Sequence, residues 1–62
     1  MFKLDDMVYS KVALVASRGK VPAGTAGMVI DVVRGQPIVY KVFFGKVGYA
    51  TVEYGQLELY RK

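Results

Sequence analysis

The stretch Val21-Pro22-Ala23-Gly24-Thr25-Ala26-Gly27 leads directly into Met28-Val29-Ile30-Asp31-Val32-Val33, and this junction constrains the fold more than any other feature of the chain. Pro22 fixes φ for a turn, while Gly24 and Gly27 can take positive φ, so a structural turn is expected on these three residues. The β-branched run that follows has the composition of a strand. Both of its faces are apolar except at Asp31, which predicts a strand that is central or bent enough to serve two sheets. The feature describes architecture and supplies no chemistry.

Other strands are read around it. Residues 4–15 form a first strand region with Val8 as core anchor, and their β-branched content argues against a helix capped by Asp5 or Asp6. Residues 16–20 break the pattern as an exposed loop tip carrying Arg18 and Lys20. Residues 34–37 make a connection in which Pro37 is excluded from a paired strand interior. Residues 38–44 alternate: Ile38, Tyr40, Val42 and Phe44 share one face, and Lys41 with Phe43 the other. A turn at 45–48 precedes a strand at 49–53. Residues 54–56 suit one 3₁₀ turn. Residues 57–60 close the chain, with Leu57 and Leu59 inward and Glu58 outward, and Arg61 and Lys62 are an ordinary frayed end.

The expected core is Val8, Val29, Val42, Phe44, Leu57 and Leu59. Five short strands, a long first loop and a single 3₁₀ turn before the last strand describe one all-β domain over residues 1–62, a small five-stranded SH3-like barrel. Closure of such a sheet removes most unpaired edges. An OB-fold would need a helix between its third and fourth strands, and the sequence offers none there.

Composition narrows the function classes. The 62 residues include no cysteine and no histidine, which excludes disulfides and zinc–cysteine sites and removes the commonest general base and metal ligand. Ser10, Ser17, Thr25 and Thr51 have no histidine partner for a nucleophilic triad. Asp5 and Asp6 are adjacent and would point to opposite faces of a strand, a poor arrangement for sharing a metal. The glycines at 24 and 27 lead into a strand, whereas phosphate loops lead into a helix. A non-catalytic protein without cofactor or metal is therefore expected.

At 53% hydrophobic residues and a mean hydropathy of +0.27, one small core cannot hide every apolar side chain. With disulfides and metals excluded, association is the remaining common support for so short a chain. The expected partner is protein, including a second copy in a homo-oligomer. Nine basic against five acidic residues, spread along the chain, give a net charge of +4 and keep nucleic acid as the second class. The first residues lack a signal-peptide h-region and no apolar run reaches membrane-spanning length, so a cytoplasmic protein with no membrane contact is expected. Among the aromatics, Tyr40 and Phe44 belong to the core. Tyr9, Phe43, Tyr49 and Tyr54, interleaved with Lys41 and Lys46, are the ingredients of a binding surface.

Residues 22–32 resemble the Gly-x-x-Gly-x-Val turn and strand of KOW-type barrels, here Gly24, Gly27 and Val29. More of the chain is similar to short bacterial SH3-like domains of uncharacterised function, through Leu4-Asp5-Asp6-Met7-Val8 and Gln56-Leu57-Glu58-Leu59. This resemblance spans nearly the whole chain and implies the fold without catalytic residues; the KOW likeness implies an alternative role in binding RNA. Residues 42–50 resemble two strands of the ferredoxin-docking subunits of photosynthetic complexes, which would imply a basic docking subunit for an acidic electron carrier. The long loops of those subunits are missing. Plasmid-encoded type II dihydrofolate reductases carry Val-Gln-Ile-Tyr near their last strands, and Tyr49-Ala50-Thr51-Val52 departs from it.

Overall fold

Alternating apolar runs separated by glycine-rich turns fold into seven strands in a computed structural model that describes residues 2–60. They are β1 (Met7–Ser10), β2 (Leu14–Ala16), β3 (Gly19–Val21), β4 (Ala26–Val33), β5 (Val39–Phe43), β6 (Tyr49–Glu53) and β7 (Leu57–Leu59). Five of them form an antiparallel sheet in the order β6-β5-β4-β1-β7, and β2 and β3 form a separate two-stranded ribbon. The only helical elements among the described residues are 3₁₀ turns at Gly45–Val47 and Tyr54–Gln56, so the chain is all-β. None is long and apolar enough to cross a membrane.

The central strand is bent by a bulge. Val29 pairs with Val42 and Asp31 with Lys41, which leaves Ile30 without a partner. An inserted residue shifts the side-chain alternation by one position. Gly27 and Val29 face inward, and strict alternation would bring Asp31 in after them. The extra residue turns Asp31 outward and Val32 toward the core instead. The bulge is therefore what lets one strand carry apolar residues on both faces and a carboxylate without burying the charge, whose desolvation would be severe.

At the turn feeding β4, Ser10 and Thr25 clamp the chain. The buried Ser10 hydroxyl and the Thr25 hydroxyl both donate to the Pro22 carbonyl, and the Gly24 N–H donates to the Ser10 carbonyl. Gly24 takes φ of +89°, which a side chain would oppose. Gly27, expected in the turn, instead lies within β4 opposite Val8 and without positive φ; a Cβ there would meet the Phe43 carbonyl oxygen, the Phe44 ring and Val42 Cγ1, each at 2.8 Å. The end of its sheet neighbour β5 and the Phe44 ring close over Gly27 and leave no room for a side chain.

The core joins Val8, Val29, Tyr40, Val42, Phe44, Val52 and Leu57 with Ala16 and Val21 from the ribbon. A fully buried valine or leucine contributes roughly 1.5–3 kcal/mol relative to an exposed one. Three expectations are corrected. The region 4–15 is two strands, because β1 ends at Ser10 and the chain leaves the sheet before β2; the count is seven where five were expected. The supposed loop tip at 16–20 is a tight β2–β3 hairpin in which Ala16 pairs with Gly19 and is buried. Leu59 is 39% exposed although it shares a face with Leu57, since it ends the sheet's edge strand with a neighbour, Val8, on one side only. The 3₁₀ turn before the last strand lies where expected and has a companion at Gly45–Val47. Arg61 and Lys62 lie outside the described residues.

The hairpin also touches the far end of the sheet. The Ser17 N–H donates to the Tyr49 carbonyl at 2.8 Å, the Arg18 N–H to the Val47 carbonyl at 2.7 Å, and the Tyr49 N–H to Ser17 Oγ at 3.2 Å.

Candidate functional site

Antiparallel register decides which exposed side chains meet, because directly opposed residues share a face. Met7 opposes Met28, Met28 opposes Phe43, and Phe43 opposes Tyr49. On the other side of Met7, the Tyr60 N–H donates to the Met7 carbonyl at 2.9 Å, continuing the β1–β7 register. One row, Tyr60–Met7–Met28–Phe43–Tyr49, thus crosses the outer face of all five strands, a span of roughly 20 Å at ordinary strand spacing. Every member is exposed, Phe43 by 45% and Tyr49 by 44%. Beside this row runs a second, Asp31–Lys41–Thr51, set by the same register after the bulge.

Lys41 Nζ stands 5.0 Å from the Tyr49 ring centroid, a cation–π contact that holds its charge beside the apolar row. Asp31 Oδ1 accepts the N–H of Val32 at 2.9 Å. The outer face therefore carries both signs of charge next to its apolar centre.

Sequence expectation placed six residues in one binding surface, and the fold divides them. Lys41, Phe43 and Tyr49 lie together. Tyr9 and Tyr54 instead line an open groove of about 990 Å³ with Phe2, Leu57 and Leu59, bordered by Lys3, Lys11 and Glu58. Phe2 stacks on Tyr54 with 5.2 Å between ring centroids. Lys46 lies apart, in the Gly45–Val47 turn, against which the hairpin bearing Arg18 and Lys20 packs: a Cβ on Gly19 would lie 3.1 Å from Val47 Cγ1. Residues 16–25 and 44–50 contain no acidic residue, so the charged groups of these packed segments, Arg18, Lys20 and Lys46, are all basic.

Met7, Met28 and Tyr60 belong to the row and are absent from the sequence-derived set. Each reads in isolation as a scattered surface hydrophobe. Only the register between strands distant in sequence collects them. Compared with known proteins, the chain matches no family profile, no curated protein and no solved structure.

Proposed function

We propose that the chain is an SH3-like barrel, its ribbon set in the long first loop, that works as a non-catalytic binding module through protein–protein contact on the outer sheet face. The bent β4, the hairpin that reaches β6 and the 3₁₀ turn before β7 support the barrel reading. The observation that carries the functional reading is the exposed row Tyr60–Met7–Met28–Phe43–Tyr49. Monomeric proteins rarely leave contiguous apolar surface of this kind in water unless something covers it. Asp31 beside Lys41 on the same face disfavours a polyanion there.

A second reading, an RNA-binding barrel, is favoured by the basic residues Arg18, Lys20 and Lys46 of the hairpin and the Gly45–Val47 turn. The two separate in one experiment. Fluorescence anisotropy of a labelled single-stranded RNA should show no appreciable binding, and the Arg18→Ala/Lys46→Ala variant should behave like the parent. Binding that weakens by orders of magnitude between about 50 and about 200 mM salt, and is lost in that variant, would overturn the protein-contact reading.

A further inference from the structure

We infer that the occupant of the outer face is a second copy of this chain, packed about a two-fold axis running parallel to the strands between β4 and β5. The inference rests on reading the row as a protein-docking surface and adds the partner and its placement. The row's arrangement is what makes a copy fit. A rotation about that axis exchanges β4 with β5 and β1 with β6. Met28 then meets the partner's Phe43, Met7 meets the partner's Tyr49, and each contact occurs twice, as an isologous interface requires. In the adjoining row the same rotation sets Asp31 against the partner's Lys41 and Lys41 against the partner's Asp31. The register that pairs Asp31 with Lys41 within one chain is thus self-complementary between two. A strand-parallel axis running over β5 would instead oppose Lys41 to itself.

The apolar centre is of useful size. An aromatic side chain offers roughly 150–250 Å², so Phe43 and Tyr49, each a little under half exposed, leave about 180 Å² in water on each copy. Met7, Met28 and Ile30 extend this patch, while Tyr60 lies at its margin beyond the strands that the rotation opposes. The charges of the second row would sit at the border of the apolar centre, where they select orientation more than they add affinity.

The test is charge exchange followed by sedimentation equilibrium. The parent chain should sediment as a dimer at micromolar concentration. Asp31→Lys and Lys41→Asp should each raise the dimer Kd about tenfold or more, because each places like charges opposite one another twice per dimer. An equimolar mixture of the two should return to the parent Kd, since opposite charges then meet at both positions. Phe43→Asp should give a monomer with an unchanged circular dichroism spectrum; if it unfolds, the charge pair decides alone. A parent that stays monomeric throughout overturns the second copy and leaves the row to a different protein, a reading judged separately by the RNA experiment. A dimer indifferent to Phe43→Asp and to both reversals places the interface elsewhere and removes the row from function as well. Weakened variants whose mixture fails to recover refute the axis between β4 and β5.

Discussion

The backbone N–H of Phe2 donates to the hydroxyl of Tyr40 at 3.3 Å, while the two rings meet edge-on with 5.3 Å between centroids and 67° between planes. Tyr40 is fully buried, so its hydroxyl needs this partner, and Phe2 doubles as a lid over the core. Phe2→Ala should lower stability by about 1–2 kcal/mol, the loss of a half-buried ring with its edge-to-face contact. Tyr40→Phe should lower it by about 1 kcal/mol, the usual net worth of one hydrogen bond. Urea denaturation of both single variants and the double should show non-additivity, since the residues touch.

At Gly27 the predicted defect is steric. Ala must push against the Phe43 carbonyl, and Val adds two methyls to the same space. Gly27→Ala should cost about 1–3 kcal/mol and Gly27→Val more, measured by thermal melting. An unchanged melting temperature for Gly27→Val would mean that the end of β5 and Phe44 do not close over Gly27 this tightly.

Gly48 combines two obstacles. Its φ is +85°, and an added Cβ would collide with Ser17 Oγ. Gly48→Ala should cost about 1–2 kcal/mol from the backbone conformation alone. Removing the hydroxyl as well, in Gly48→Ala/Ser17→Ala, should relieve the clash; measured against Ser17→Ala, which alone loses the Tyr49 N–H bond, the remaining cost of Gly48→Ala should be the conformational part.

Burial ranks Phe44 and Leu59 oppositely to their shared place in the sequence-derived core. Phe44→Ala should cost about 3–5 kcal/mol and leave little folded protein, whereas Leu59→Ala should cost about 1 kcal/mol or less. Comparing the two circular dichroism spectra at one temperature is sufficient.

Local alternation made β5 and β6 legible: Tyr40, Val42 and Phe44 inward and Phe43 outward follow from period two alone. The turn at Pro22 and Gly24 was equally readable, since its residues have few other uses. What escaped depended on contacts between distant segments. The bulge at Ile30 leaves no local mark, yet it decides where Asp31 points. The hairpin β2–β3 is hidden because Leu14-Val15-Ala16 looks like a continuation of β1. Half of the candidate surface was named from aromatic and lysine content, and the other half, Met7, Met28 and Tyr60, needed the register. That Tyr9 and Tyr54 lie apart from the row, in the groove with Phe2, was hidden for the same reason.

The hairpin's grip on Tyr49 has a further consequence. Ser17 engages both backbone groups of Tyr49 at the start of β6, and Arg18 the Val47 carbonyl just before it, so the Tyr49 end of that margin is already occupied by the hairpin. Strand β7 has no such guard, and among the described residues its only strand neighbour is β1. The sheet is thus directional: a foreign strand can be added beside Leu59 but is impeded beside Tyr49. Growth of an ordered aggregate by edge pairing would be a one-ended process, terminating where two β7 margins meet instead of propagating as a fibre.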